Sequence, residues 1–348
     1  MLFCFGEEAF AMNKTVLVTG GNGYLALHII YQLLQQDYKV RTTVRSLKSA
    51  DHIKETLRAN GITDLSKLTF VEADLLKDEG WDQAVENQEY VLNVAYPSEV
   101  SFEDRNEINP PVVQGVRRVL TAASRAGVKR IILTSSFNTI ASRSLEKSKV
   151  FTEQDWAEEN QPGLSYYDKF KLLAEKAAWE FIENDPSGME LVTVNPVAIL
   201  GPPLDGYKSG SFSMLKMVFV KGFPDLPLNI VDVRDLADIH IRAMITPEAK
   251  NQRFIAATGK ITMWKIEKLL RKERPEMAAQ LAAREIPQRV LDVAAVFKDP
   301  AKLEILLPNL NHTISNQKAK DILAWRPLFT KEQTVLDSID GMVRDGAL

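Results

Sequence analysis

The sequence is poor in the residues and segments that mark several large classes of protein. Its single cysteine, Cys4, leaves no partner for a disulfide within the chain, which fits a reducing compartment. No apolar run approaches the roughly 18 residues that a membrane span requires. The four histidines are scattered without metal-ligand spacing, and no basic block accompanies the net charge of -3. We therefore expect a cytoplasmic protein with no metal site, no membrane span and no nucleic-acid partner.

The amino-terminal residues 1–11 lack the features of a secretory signal. A short apolar run leads to a small-residue site, but no basic region comes first and two glutamates interrupt the segment. We expect a poorly structured extension here, with Met12 as an alternative start. The chain as a whole is 45% apolar and long enough for a sizeable core.

Short β-branched segments alternate with helical patterns over the first two hundred residues. The segments lie at 15–19, 39–44, 68–73, 90–95, 130–135 and 191–196. This alternation predicts an α/β protein whose parallel sheet is covered by helices on both faces, which is the doubly wound Rossmann arrangement. Ligands of such sheets bind beyond the carboxyl ends of the strands, where the strand order reverses.

The rhythm of the sequence changes after Pro196, where a segment rich in glycine, proline and serine follows. A further strand is predicted at 228–233, and helices are predicted at 262–273 and 330–344. We expect two units. The predicted cofactor-binding domain spans 12–200 with a return at 228–257, and the predicted substrate-binding subdomain comprises 201–227 and 258–348.

The first predicted strand runs into three glycines and then into an apolar helix pattern. Gly21, Gly23 and Ala26 fit G-x-G-x-x-A, while Gly20, Gly23 and Ala26 fit G-x-x-G-x-x-A. The early glycines of such turns let the backbone approach a pyrophosphate, whereas the last position needs only a small side chain. The turn therefore predicts a dinucleotide site at a helix N-terminus; the alternative is a tight turn without a ligand. The residues expected to bind the cofactor here are Gly20, Gly23, Tyr24 and Leu25.

The end of the second strand indicates which dinucleotide is bound. An NAD site usually has an acidic residue about 20 residues past the glycines, to bind the ribose hydroxyls. This chain has Arg41, Arg45 and Lys48 instead. Arg45 and Lys48 follow the strand and suit a 2′-phosphate, so we predict NADP(H); Arg41 lies within the strand and is the weaker candidate. A solvated basic loop is the alternative.

One tyrosine has the spacing of an acid–base pair. Of the eight tyrosines, only Tyr167 has a lysine four residues on, at Lys171. On a helix this spacing places both groups on one face, and a nearby ammonium lowers the pKa of a phenol from its usual value of about 10. Taken alone, the pair also fits a solvated helix face.

A set of motifs in a fixed order identifies a family. The motifs are TGGNGYLA (19–26), TTVRS (42–46), EADL (72–75), VAYP (94–97), LTSS (133–136), YDKFKLLAEKAAWEF (167–181), VNPVAILGP (194–202) and VDVRDLADIH (231–240). Together they resemble the extended short-chain dehydrogenase/reductases. The branch they resemble contains dihydroflavonol reductase-like, cinnamoyl-CoA reductase-like and methylglyoxal reductase-like proteins of the NAD(P)-dependent epimerase/dehydratase superfamily.

The resemblance implies roles for individual residues. Tyr167 would exchange a proton with the substrate oxygen, Lys171 would lower its pKa and contact the nicotinamide ribose, and Ser136 would hold the carbonyl, with Ser135 as the fallback. The remaining implied cofactor contacts are Asp74 and Leu75 at the adenine, Ala95 and Pro97 in the loop beside the cofactor, and Pro196 and Val197 on the nicotinamide side.

Two aromatic residues depart from the pattern of the family. Tyr96 stands where relatives often have serine, and Phe137 stands where they usually have a small residue. Either both residues line an aromatic substrate pocket, or one or both of them pack in the core. Ala141 replaces the asparagine of plant dihydroflavonol reductases, so a flavonoid substrate is not supported.

These observations predict an NADPH-dependent carbonyl reductase, an oxidoreductase acting on CH–OH groups of small aldehydes and ketones. The partner is then a small-molecule carbonyl substrate, and the protein a monomer or homodimer. A nucleotide-sugar epimerase or dehydratase with tightly bound NAD, and a non-catalytic dinucleotide-sensing regulator, are the alternatives.

Overall fold

The computed structural model describes most of the chain. The described residues are 15–97, 111–141, 149–161, 164–206, 210–220, 222–223, 225–281 and 313–348. The extension predicted at 1–11 lies outside them.

The described residues form the seven predicted strands and five further short strands. They are β1 (Thr15–Val18), β2 (Lys39–Val44), β3 (Leu68–Glu72), β4 (Tyr90–Asn93), β5 (Arg130–Thr134), β6 (Val150–Phe151), β7 (Glu190–Pro196), β8 (Ala198–Leu200), β9 (Pro227–Asp232), β10 (Gln252–Ala256), β11 (Gly259–Thr262) and β12 (Thr313–Ile314).

Helices occupy the segments between the strands. They are α1 (Tyr24–Gln35), α2 (Ala50–Ala59), α3 (Trp81–Val85), α4 (Pro111–Arg125), α5 (Asn138–Ala141), α6 (Tyr166–Asn184), α7 (Phe212–Leu215), α8 (Val233–Ile245), α9 (Met263–Glu273), α10 (Gln317–Ile322) and α11 (Lys331–Arg344). No helix in the described ranges is long and apolar enough to cross a bilayer.

Seven parallel strands form the central sheet in the order β10-β7-β5-β4-β1-β2-β3. Strand order reverses at β1, which pairs with β2 on one side and β4 on the other. This reversal creates the crevice at the carboxyl ends of the strands in which doubly wound proteins bind their ligands. The predicted α/β class with a doubly wound parallel sheet is confirmed.

Each face of the sheet carries its own apolar core. One core joins the strands to α1 and α8, with Ile29, Leu33 and Leu236 fully buried. The other joins them to α4 and α6, with Val119 and Phe170 fully buried. Because both faces are covered, central strands such as β5 are buried along their whole length, which explains their continuous β-branched sequences.

A smaller sheet lies beside the main one, in the order β11-β9-β8. The strand predicted at 228–233 is β9, and it pairs with β8 and β11 rather than within the central sheet. The edge of the central sheet is instead β10, which pairs with β7. Helix α11 adds Val335, Ile339 and Met342 to the same core as α1. The division into a cofactor domain and a substrate subdomain stays a prediction.

A buried arginine joins β5 to the end of α8. The Arg130 side chain is 3% exposed and forms an ion pair of 2.6 Å with Glu190. Its Nη1 donates to the carbonyl oxygens of Ala243, Met244 and Thr246 at 2.9, 3.0 and 2.6 Å. The last carbonyls of a helix have no partner within it, so Arg130 satisfies groups that burial would otherwise leave unpaired.

We expect Arg130→Ala to lower the free energy of unfolding by about 3 kcal/mol or more, because it leaves the helix carbonyls without this donor and Glu190 with only the more distant ion pair to Lys250. Urea denaturation followed by circular dichroism measures the change. Arg117→Ala is the matched control, since its ion pair with Glu180 is exposed and should change stability by less than about 1 kcal/mol. Equal losses in the two variants would contradict the assignment.

Candidate active site

The glycine turn between β1 and α1 is built for close approach. Gly20 has a φ of +71°, and a Cβ there would lie 3.0 Å from the Cβ of Ala95. A Cβ on Gly21 would lie 2.3 Å from the hydroxyl of Thr42. Both positions therefore require glycine, one for its conformation and its neighbour, the other for its neighbour alone.

Backbone hydrogen bonds fix the turn against β2. The N–H of Gly20 donates to Thr43 Oγ1 at 2.9 Å, and the N–H of Gly21 donates to Thr43 O at 2.8 Å. Helix α1 then begins at Tyr24 without an acidic residue in its first turn. Its first N–H groups have no acceptor within the helix, so they suit an anion. The Tyr24 hydroxyl donates to Gly201 O at 2.9 Å, which leaves the backbone of Tyr24 and Leu25 for that task.

The predicted basic residues separate into two groups. Arg45 and Lys48 are exposed just beyond the carboxyl end of β2. Arg41 instead donates through Nη1 to the carbonyl oxygens of Gln83 and Glu86, both at 2.8 Å, and so caps the end of α3. Arg41 is thus engaged in structure, whereas Arg45 and Lys48 are exposed at the end of β2.

The remaining predicted cofactor residues follow the carboxyl ends of their strands. Leu75 is buried beside Gly115, and the Asp74 carboxylate accepts from the N–H of Leu76 at 3.0 Å. The loop after β4 holds Ala95 and Pro97. Pro196 ends β7, and Val197 follows it with its N–H donating to Ala256 O at 3.2 Å.

Thr19 is a residue of this edge that the sequence reading did not single out. Its hydroxyl oxygen accepts from the N–H groups of Val94 and Ala95 at 3.0 and 2.9 Å, and its proton goes to Asn93 Oδ1 at 3.0 Å. Thr19 therefore ties the loop after β4 to the glycine turn. The position of Thr19 directly before the glycines is the sequence feature that could have indicated this role.

The structure distinguishes the two candidate serines. Ser136 forms a hydrogen bond with the Tyr167 side chain, and its Oγ accepts from the N–H of Asn138 at 3.2 Å. Ser135 points the other way and donates to the buried carboxylate of Glu175. Ser136 is thus the serine that meets Tyr167, and Ser135 belongs to the network beneath.

The Tyr167 phenol lies at the start of α6, whose N-cap is Ser165. Tyr167 is 43% exposed, yet the pKa of its phenol is raised to about 12. Desolvation is the main cause and the neighbouring Asp168 carboxylate adds to it, while the hydrogen bond with Ser136 acts in the opposite direction. The phenol therefore keeps its proton at neutral pH.

Lys171 lies one turn further along α6. Its ammonium donates to Thr134 O at 3.1 Å and sits 4.7 Å from the centre of the Tyr96 ring. Burial lowers its pKa to about 8, and the Glu175 carboxylate partly offsets this. The predicted lowering of the Tyr167 pKa by this ammonium stays a prediction.

Glu175 is a fully buried charge beneath the site. Burial alone would raise its pKa, but the Arg253 guanidinium at 2.8 Å and hydrogen bonds from Ser135 and Thr139 outweigh that effect and hold the pKa below its usual range. Asn195 also donates to the carboxylate, at 2.8 Å. The donors lie on α5, β7 and β10 and on Ser135, the residue after β5, so one carboxylate joins four segments around α6.

The two unusual aromatic residues lie in different surroundings. Tyr96 packs 5.4 Å from Tyr167, measured between ring centres, and its hydroxyl is buried without a hydrogen-bond partner in the described part of the chain. Phe137 is 5% exposed and packs edge-on against Phe151 at 6.5 Å. Tyr96 therefore lies beside the candidate proton donor, whereas Phe137 lies in a core cluster.

A buried histidine supports Thr134 from behind the sheet. His240 is fully buried; its Nε2 accepts from the Thr134 hydroxyl at 2.8 Å and its Nδ1–H donates to Leu236 O at 2.7 Å. Burial lowers the pKa of His240 to about 4. Among the described residues, no group of three His, Cys, Asp or Glu side chains could hold a metal ion.

The motifs of this edge match a known family. A model of the 3-beta hydroxysteroid dehydrogenase/isomerase family matches residues 17–258. The chain belongs to this family. It is 31% identical to one curated relative, the ketoreductase azaE of Aspergillus niger, over 80% of this chain and 87% of that protein.

Solved structures agree with this membership. Gre2 from Candida albicans in complex with NADPH has a TM-score of 0.78 and 28% identity, over 95% of this chain and 99% of that one. Yeast methylglyoxal/isovaleraldehyde reductase Gre2 complexed with NADPH has a TM-score of 0.77 and 27% identity, over 96% and 100%. The resemblance inferred from the ordered motifs is confirmed. The roles of the individual site residues stay predictions.

Acid should destabilise the protein through His240. The unfolded chain takes up this proton near pH 6.5 and the folded protein only near pH 4, so stability is full above pH 6.5 and is lost as the pH falls toward 4. We expect this histidine alone to cost about 2 kcal/mol between pH 7 and pH 5. Urea denaturation at both values, with His240→Leu for comparison, measures it. The variant should show a smaller difference between the two pH values; an unchanged difference would contradict the assignment.

Proposed function

We propose that the protein is an NADPH-dependent reductase of small aldehydes and ketones. The observation that carries this is the hydrogen-bonded pair of hydroxyls, Ser136 and Tyr167, at the sheet edge that also holds the glycine turn. The ketoreductase relative and the NADPH complexes of Gre2 support the reductase class and the predicted NADP(H). The turn itself fits a dinucleotide, because Gly20 and Gly21 leave room where a Cβ would clash.

The side chains then divide the work of reduction. When bound, NADPH supplies the hydride that forms the new C–H bond at the carbonyl carbon. Tyr167 donates its phenolic proton to the carbonyl oxygen as the C=O bond becomes a C–OH, and solvent later restores that proton. Ser136 donates a hydrogen bond to the same oxygen in place of its hydrogen bond with Tyr167. Lys171 supplies the positive charge that the phenolate needs.

The surroundings of Tyr167 keep its phenol protonated before reduction begins. A phenol with a pKa of about 12 is protonated at neutral pH, so it is a proton donor before it is a base. The ring of Tyr96 forms an aromatic wall beside it, which suits a carbonyl with an apolar substituent. The cytoplasmic location and the monomeric or homodimeric state stay predictions.

Tyr167→Phe should reduce kcat by at least about 1,000-fold, because the proton donor is lost. NADPH binding should stay within about twofold, since the ring is kept. NADPH oxidation against a panel of aldehydes, ketones and diketones gives the first quantity, and fluorescence titration gives the second. Tyr166→Phe is the matched control on the neighbouring residue, which packs against Phe170, and it should keep parental turnover.

Other outcomes of the same panel separate the alternatives. Parental turnover in Tyr167→Phe would refute the proposed mechanism. Tightly bound NAD in the purified protein, without an NADPH preference, would favour a nucleotide-sugar epimerase or dehydratase. No turnover, together with a partner captured in only one redox state of the cofactor, would favour a dinucleotide-sensing regulator.

Arg45→Ala and Lys48→Ala should each weaken NADPH binding by about tenfold and leave NADH binding unchanged, because each cation is assigned to the 2′-phosphate. Fluorescence titration with both nucleotides measures the ratio. Lys39→Ala is the control, since Lys39 carries the same charge at the opposite end of β2. Equal weakening for both nucleotides would remove the 2′-phosphate assignment.

A further inference from the structure

A buried carboxylate follows the candidate proton donor directly. Asp168 is 3% exposed on the first turn of α6, where its N–H donates to Ser165 Oγ at 3.1 Å. Its Oδ1 accepts from Asn138 Nδ2 at 2.6 Å. A negative charge near a helix N-terminus is stabilised by the helix dipole, which makes this position tolerable for a buried aspartate. The family motifs imply no role for Asp168 or Asn138.

Asn138 faces the other member of the hydroxyl pair. It begins α5, two residues after Ser136, and its backbone N–H donates to Ser136 Oγ at 3.2 Å. The contacts therefore close a ring. Ser136 binds Asn138, Asn138 binds Asp168, Asp168 adjoins Tyr167 in the chain, and Tyr167 binds Ser136.

Such a ring has a consequence for catalysis. Two hydroxyls reach one carbonyl oxygen only if the turn that bears Ser136 and the helix that bears Tyr167 stand at a fixed separation. The side-chain bond between Asn138 and Asp168 spans that separation directly, from the first residue of α5 to the first turn of α6. It is also short, at 2.6 Å, so it holds the two elements closely together.

We propose that Asn138 and Asp168 are positioning residues, whose hydrogen bond sets the Ser136 and Tyr167 hydroxyls on a common carbonyl oxygen. This inference rests on the proposed reductase function. Neither residue touches the reacting atoms; each acts through its neighbour in the pair.

Asp168 also brings a charge whose effect can be separated from its geometry. The titratable groups that face it in the described elements are Tyr167 on α6 and Tyr96 from the loop after β4. A carboxylate beside a phenol disfavours the phenolate. Replacing the Asp168 carboxylate with an amide that keeps the hydrogen bond should therefore shift the pH profile of kcat without a large loss of kcat.

The test compares Asn138→Ala, Asp168→Ala, the double variant and Asp168→Asn in the full-length protein. Each alanine variant should lower kcat by about 10- to 100-fold, with NADPH binding within about twofold of the parent. The kcat of the double variant should be no lower than that of the slower single variant, because each single substitution already removes the hydrogen bond between Asn138 and Asp168. Asp168→Asn keeps an amide oxygen that accepts from Asn138, so it should recover most of kcat and shift the alkaline limb of the pH profile to lower pH.

Lys176→Ala is the control, because it removes an exposed ion pair with Glu159 from the same helix and should keep the parental kcat. Parental kcat in both alanine variants, additive losses in the double variant, or a parallel loss of NADPH binding in all of them would overturn the inference. If Asp168→Ala does not fold, Asn138→Ala and Asp168→Asn decide the question alone. A parent protein without turnover on the carbonyl panel would overturn the proposed function, and the inference with it; active variants beside an active parent would overturn the inference alone.

Discussion

The burial of one carboxylate, that of Glu175, constrains how the elements of the active edge meet. Taking an ion out of water costs several kcal/mol, and that cost is offset only when opposite charge and hydrogen-bond donors surround it. Arg253 supplies the charge from β10, while Ser135, Thr139 and Asn195 supply donors from the ends of β5, α5 and β7. These elements have one mutual arrangement in which every donor reaches the carboxylate.

That arrangement also determines where the reactive groups stand. Lys171 precedes Glu175 by one turn of α6, and Ser136 follows Ser135 directly. The contacts of Glu175 and Ser135 therefore help to position both reactive groups. The peptide N–H of Phe137 donates to Pro196 O at 2.9 Å, which extends the pairing of β5 with β7 past Ser136. The serine therefore sits on a continuation of the sheet rather than on a free loop, and its position inherits the stiffness of the core.

Much of the fold follows from local patterns in the sequence, but the polar contacts of the site do not. Continuous β-branched runs marked β1 to β5 and β7, because burial on both faces of the central sheet selects such residues. The short strands β8, β10 and β11 carry no such run and were not predicted. The choice between Ser135 and Ser136 depends on which hydroxyl faces Tyr167 and which faces the buried Glu175. The hydrogen bond between Asn138 and Asp168 joins residues 30 positions apart, and no periodic pattern in the sequence indicates such a contact. The engagement of Lys171 with Thr134 likewise depends on tertiary distances.

The turn at 201–203 lies between α1 and the carboxyl-terminal helix α11. Gly201 accepts from Tyr24 at its carbonyl and donates from its N–H to Ser338 Oγ at 2.7 Å, while the carbonyl of Pro202 accepts from His28 at 3.0 Å. Neither helix completes its packing without this turn. Because both helices bind the same turn, a chimera joined near residue 200 would bring together a tyrosine, a histidine and a serine from two parents on one short segment.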